Sequence, residues 1–191
     1  MLQVSILVPQ CKGLAPVLVR RAASVTLDWD VRQKSRFDTE SSDGRRVGVF
    51  LPRGTVVRGG DVLLTQDGSL LRVIAAAQPV LKITACTDHH HGHEHAQAHD
   101  PAFDLMRAAY HLGNRHVPIE LRPDHLKIEP DHVLADMLRA MHLTVVEVRE
   151  PFEPEGGAYA PGHGGGHAHA HDDGHDHARG HDHGPHAHAH G

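Results

Sequence analysis

The stretch Asp100–Leu121, DPAFDLMRAAYHLGNRHVPIEL, decides the fold of the second half of the chain. Asp is a favoured helix N-cap, Pro suits the first turn, and the pair Gly113-Asn114 is typical of a helix end, so a helix is predicted to begin after Asp100. The predicted apolar face of this helix consists of Leu105, Ala109 and Leu112. The residues Val117–Leu121 that follow are typical of a strand, so the helix should lead into a sheet.

The sequence on either side of this stretch completes a repeating pattern. Val80–Ala85 reads as a buried strand, and Leu126–Ile128 forms a hairpin with Val117–Leu121 around Pro123-Asp124. A second helix is indicated by one apolar face, made of Val133, Leu134, Met137, Leu138 and Met141. Val145–Val148 closes the series as a strand. The order strand, helix, strand, strand, helix, strand predicts a ferredoxin-like βαββαβ domain over residues 78–150.

The first half of the chain, residues 1–77, is predicted to be an all-β, sandwich-like domain. Short β-prone runs follow one another: Val4–Val8, Pro16–Val19, Val25–Trp29, Val47–Leu51, Val62–Leu64 and Leu70–Ile74. Turn signals such as Asp43-Gly44 and Asp67-Gly68 separate them at hairpin-like spacing. The whole chain is therefore expected to be of the α+β class.

Residues 151–191 contain almost no apolar side chains apart from alanine, and Gly, Ala, His, Asp and Pro dominate. Such a segment cannot bury enough surface to offset its ordering entropy. It is therefore predicted to be a disordered, His-rich tail.

Composition excludes several classes of function. A formal charge of -5 and no Lys/Arg-rich run argue against nucleic acid as a partner. No stretch approaches the ~20 apolar residues of a membrane helix, and the first residues lack a basic start and a cleavage site. Two cysteines are too few for a disulfide framework, which favours a cytoplasmic location. The sequence has no nucleophile elbow, phosphate loop or His-Glu-X-X-His motif, so an enzyme is not expected.

The chain contains 22 histidines, far more than packing or catalysis uses. Half lie in the tail: His163, His167, His169, His171, His175, His177, His181, His183, His186, His188 and His190. Their recurring unit is His-X-His, in which alternate residues of an extended chain point the same way about 7 Å apart and can chelate one ion. Imidazole suits nickel, copper, zinc and cobalt, so composition predicts binding of a borderline divalent metal without selecting one.

A second cluster joins the first strand of the predicted ferredoxin-like domain to its first helix. It contains His89, His90, His91, His93, His95 and His99. A few residues would suffice for this connection, so the excess length suggests use as a second metal-binding stretch. Cys86 is either a further soft ligand or a buried apolar residue.

Two of the remaining histidines are candidate ligands within the folded part. His116 follows the predicted end of the first helix, an exposed place to hold a metal. His132 lies in the first turn of the second helix, where a solvated side chain is the alternative.

The run Ala109–Pro118, AYHLGNRHVP, resembles the signature of the urease accessory nickel chaperones, the UreE family. Supporting pieces occur in the expected order, among them Leu51-Pro52-Arg53-Gly54, Gly60-Asp61-Val62-Leu63 and Asp131-His132-Val133-Leu134. The resemblance covers about residues 4–150, and the tail matches in kind. The chain departs from the family at Pro130, where a second histidine is often found, and in its inner histidine cluster.

The resemblance implies an N-terminal domain similar to the peptide-binding domain of heat-shock cochaperones and a homodimer joined through the second domain. It implies that His116 and its mate hold one nickel ion on the two-fold axis, and that His132 is a further ligand in some members. The expected function is to donate Ni²⁺, with zinc or copper also able to bind, to a urease apoprotein complex containing an accessory GTPase. The alternative is a histidine-rich protein that stores or buffers divalent metal.

Overall fold

A computed structural model describes residues 1–86 and 100–156 of the chain. Residues Met1–Gly156 form one compact unit, which contains two sheets, each with its own core. None of the helices in the described ranges has the length and apolar character needed to cross a bilayer. The predicted tail histidines from His163 onward, and the inner cluster from His89 to His99, lie outside the described residues.

The first half forms a single six-stranded sheet. Its elements are β1 (Leu2–Val8), a 3₁₀ turn (Pro9–Cys11), α1 (Pro16–Arg21), β2 (Ala23–Leu27), α2 (Trp29–Arg32), β3 (Arg36–Glu40), β4 (Arg46–Phe50), β5 (Val62–Thr65) and β6 (Leu70–Ala75). The strand order is β2-β6-β5-β1-β4-β3, with parallel pairs β1/β4 and β2/β6 and antiparallel pairs elsewhere. Valine and leucine side chains from five of the strands fill one core, with Val4, Val25, Val47, Leu63 and Leu71 fully buried.

Two features of this half differ from the prediction. It is not all-β, because Pro16–Val19 begins α1 instead of forming a strand, and Pro16 occupies the first helical turn, where its missing N–H costs nothing. It is also one curled sheet and not two stacked sheets. Its two outer strands approach each other, since the Ser42 amide donates to the Ser24 carbonyl at 2.7 Å. Curling lets one face of a single sheet enclose the core.

The second half has the predicted order of elements. These are β7 (Ala77–Ala85), α3 (Pro101–Gly113), β8 (Glu120–Leu121), β9 (Leu126–Ile128), α4 (His132–Ala140) and β10 (Leu143–Pro151). The sheet order is β10-β7-β9-β8, and every neighbouring pair is antiparallel. Both helices are capped by aspartate: Asp100 accepts from the Ala102 amide at 3.0 Å, and Asp131 accepts from the Leu134 amide at 2.9 Å. Both helices also contribute to the core that covers this sheet.

The disordered tail that the sequence predicts does not begin at residue 151. Pro151 ends β10, and Phe152 is fully buried in a third small core with Trp29 and Val80. The Trp29 and Phe152 rings meet edge to face, with centroids 6.1 Å apart. Residues 151–156 therefore belong to the folded unit. The sequence does not predict this, because the stretch is otherwise polar and the burial of Phe152 depends on Trp29 in the other half of the chain.

Candidate metal site

The side chain of His116 is exposed in the turn that follows α3. Its backbone is left-handed, with φ of 57°, a conformation that is uncommon for residues other than glycine. Two hydrogen bonds to the helix hold it there: the His116 amide donates to the Gly113 carbonyl at 2.9 Å, and the Val117 amide donates to the Leu112 carbonyl at 3.3 Å. The turn thus presents one imidazole from a backbone that is already ordered.

A single imidazole is not sufficient to form a metal-binding site. In residues 1–86 and 100–156, no three His, Cys, Asp or Glu side chains come together in a way that could hold a metal ion. His132, the other predicted ligand of the folded part, is the first residue of α4 and is exposed, on a different element from His116. A metal at His116 therefore needs ligands from another molecule or from the parts of the chain outside the described residues.

Helix α3 has an exposed apolar face that the sequence analysis did not identify. Phe103, Met106 and Tyr110 are 54%, 64% and 67% exposed, although they are among the largest side chains of the helix. Their spacing of three and four residues places them on one face, distinct from the buried face that contains Leu105, Ala108 and Leu112. The signal was present in the sequence, because these three apolar residues recur at helical spacing and are not members of the predicted apolar face of Leu105, Ala109 and Leu112. We call Phe103, Met106 and Tyr110 the α3 stripe.

The α3 stripe and His116 belong to one continuous segment. Tyr110 lies in the last turn of α3, and the turn with His116 follows directly. Exposed apolar patches on folded domains mark surfaces that bind another protein. The candidate metal ligand therefore lies beside a surface suited to association.

Comparison with known proteins gives the class of this chain. Its residues 4–76 match the family model of the UreE urease accessory protein, N-terminal domain, and residues 96–191 match that of the C-terminal domain. A protein of Verminephrobacter eiseniae named urease accessory protein UreE is 58% identical over all of this chain and 99% of its own length. A protein of the same name from Polaromonas naphthalenivorans is 72% identical over 86% of this chain and 74% of its own length. Another from Albidiferax ferrireducens is 70% identical over 85% of this chain and 87% of its own length.

These matches define an accessory protein of urease and not an enzyme. The chain belongs to the UreE family, as the resemblance around Ala109–Pro118 indicated.

Proposed function

We propose that this protein is a nickel metallochaperone that works as a homodimer during assembly of the urease metal centre. The observation that carries the proposal is the position of an exposed His116 directly after the α3 stripe. If α3 packs against α3 of a second copy around a two-fold axis, the two stripes are buried and the two His116 turns can approach each other. The pair would then hold one Ni²⁺ between protomers.

A shared site solves a chemical problem for a carrier. A single exposed imidazole binds a divalent metal weakly, and the symmetry axis supplies a second ligand from the same position of the sequence. Because both turns are ordered before metal arrives, binding costs less conformational entropy than in an unfolded chain. Two imidazoles also leave coordination positions open, through which a receiving protein can add its own ligands and take the ion.

The second half, with its antiparallel sheet and two covering helices, supports this arrangement as the ferredoxin-like metal and dimerisation domain. His132 at the start of α4 is proposed as a secondary ligand.

We propose that the other metal ligands collect ions and supply them to the interface pair. The tail histidines and the inner cluster hold 17 of the 22 imidazoles in the chain. Zinc or copper would occupy such imidazole sites too, so nickel delivery depends on supply and on the receiving partner as well as on affinity. That partner is proposed to be a urease apoprotein complex with its accessory GTPase, in the cytoplasm.

Nickel titration of the full-length dimer against two histidine variants tests the interface site. His142 is the matched control for His116, because it is exposed, has a left-handed φ of 63° and follows the end of α4 as His116 follows α3. His116→Ala should remove the tightest site and impair urease activation in cells at limiting nickel. His142→Ala should change neither. Normal activation by His116→Ala would refute the proposal.

The second candidate is a metal store, favoured by the number of histidines outside the described residues. A store needs capacity and no particular interface site. His116→Ala would then leave both the bound metal and urease activation unchanged, while removal of the tail would lower nickel tolerance of the cell.

A further inference from the structure

Five residues, Pro151–Glu155, connect the two halves of the folded unit, and we call them the strap. From the first half, Arg32 and Arg58 each donate a hydrogen bond of 2.5 Å to a strap carbonyl. From the second half, the Lys127 ammonium donates to another strap carbonyl at 2.7 Å. The fully buried ring of Phe152 fixes the strap in the small core that it forms with Trp29 and Val80.

The carboxylate of Glu153 is the main link between the strap and the first half. It accepts hydrogen bonds from the Gly59 amide at 2.8 Å and from Arg32 at 2.8 Å, and it pairs with Arg58 at 3.4 Å. Arg32 is fully buried, so the loss of Glu153 would leave a buried guanidinium without its countercharge. The pairing therefore holds the strap firmly to the N-terminal half.

The same strap is hydrogen-bonded to the segment that follows His116. The Glu153 amide donates to a carboxylate oxygen of Glu120 at 2.8 Å, and the Glu155 amide donates to the Ile119 carbonyl at 2.8 Å. Ile119 lies three residues after His116 in the chain. The strap thus holds the segment Val117–Glu120 from its far end.

Glu120 is a strong acceptor for this contact. Burial raises the pKa of its carboxyl, but hydrogen bonds from the Glu153 amide, Lys127 and Arg122 outweigh burial and hold the pKa below the usual value. The carboxylate is therefore charged at neutral pH, and hydrogen bonds to a charged acceptor are about twice as strong as neutral ones.

The two ends of the His116 turn are held by different parts of the molecule. On the helix side, the amides of His116 and Val117 bond to α3. Pro118 has no N–H to donate. On the far side, the contacts of Ile119 and Glu120 with the strap complete the anchoring.

We propose that Glu153 is a positioning residue for His116, an inference that rests on the proposed metal role of that histidine. The N-terminal half holds the strap through Glu153, and the strap holds the segment that fixes the His116 turn. The N-terminal half thereby raises the metal affinity of a residue that it does not touch. A ligand that draws Arg58 or Gly59 away from Glu153 would lower that affinity and favour release.

The test uses full-length protein and measures the order of the His116 turn separately from the nickel affinity. Amide hydrogen exchange, read by mass spectrometry without metal, reports the order of residues 114–119. Glu153→Ala removes the central carboxylate, and Arg58→Ala weakens the same pairing from the other half of the chain. Arg58→Lys restores the charge, and Glu147→Ala replaces an exposed glutamate of β10 as control. Thermal melting shows whether each variant is folded.

Glu153→Ala and Arg58→Ala should raise exchange at residues 114–119 about tenfold, as expected if local opening becomes easier by about 1.4 kcal/mol. Nickel affinity at the site that His116→Ala removes should fall by a similar factor. Arg58→Lys should recover part of both effects, and Glu147→Ala should show neither. If Glu153→Ala does not fold, Arg58→Ala and its lysine counterpart decide the question.

Unchanged exchange at residues 114–119 in a folded Arg58→Ala protein would overturn the link between strap and turn. Faster exchange with unchanged nickel affinity would show that the strap orders the turn without acting on metal, and it would overturn the positioning role. If His116→Ala removes no nickel site from the wild-type chain, the proposed function itself fails, and the exchange data show whether the strap orders the turn independently of metal.

Discussion

Replacement of Tyr110 by glutamate should separate the proposed dimer into monomers. Tyr110 is 67% exposed in the single chain. An aromatic side chain offers about 200 Å² of surface, so burial of its exposed part removes roughly 130 Å² per copy from water. At about 25 cal/mol per Å², this is ~3 kcal/mol per copy and ~6 kcal/mol for a symmetric pair as an upper bound.

If the Tyr110 pair contributes half of this upper bound, its replacement by glutamate raises the dissociation constant of the dimer roughly 100-fold. The charge of an uncompensated buried glutamate raises the dissociation constant further. Sedimentation velocity across a dilution series measures the effect. Leu18→Glu is the matched control, because Leu18 is an apolar side chain 55% exposed on the N-terminal half. A Tyr110→Glu protein that stays dimeric at the wild-type dissociation constant would refute the assignment of the interface to the α3 stripe, as would a Leu18→Glu protein that dissociates to the same extent.

Three further predictions concern the tail, the junction between the halves and the response to pH. Truncation after Gly156 should lower the number of metal ions bound and leave the melting temperature unchanged. Truncation after Glu150 also removes the buried Phe152, so it should lower the free energy of unfolding in urea by about 3–5 kcal/mol. Equal stability of the two truncated proteins would contradict this. Burial raises the pKa of Glu129, and the charge of Asp30 raises it further, so the folded state holds this proton more tightly than the unfolded chain and loses stability as pH rises through the raised pKa. Glu129→Gln should therefore be more stable than wild type by up to about 1 kcal/mol at pH 7 and equally stable near pH 3, and a loss of stability at pH 7 would show that the sign is wrong. Because an unperturbed imidazole titrates near ~6.5, metal held by the tail should be released between roughly pH 7.5 and 5.5, before metal at the interface pair, in calorimetric titrations of full-length and truncated protein; release in the opposite order would contradict the proposed hierarchy of sites.

The helices of the second half illustrate what a sequence can predict. Asp100 caps α3 as predicted, and Asp131 caps α4. Of the predicted apolar faces, Leu105, Leu112 and Leu138 are buried, whereas Val133 is 62% exposed. These features depend on residues within one or two turns of each other, so local sequence is sufficient to encode them. The position of His116 after the end of α3 follows from the same local signals.

The N-terminal half shows where local signals fail. The run Pro16–Val19 has the composition of a strand but forms α1, and the strand β3 (Arg36–Glu40) was not predicted because charged residues alternate along it. Which runs pair in the sheet depends on contacts between distant segments, such as the parallel pairing of β1 with β4. β-propensity responds to such neighbours more than helix propensity does.

By itself, the sequence determined the order of elements in the second half, the aspartate cap of its first helix and the concentration of histidine in two stretches. The tertiary structure decided three further features: the curled sheet, the α3 stripe beside His116, and the strap that joins both halves to the turn. The physical reason is the range of the interactions. Helix caps and periodicity act over a few residues, whereas the burial of Phe152, the pairing of Glu153 with Arg32 and the exposure of Tyr110 depend on which distant surfaces the fold brings together.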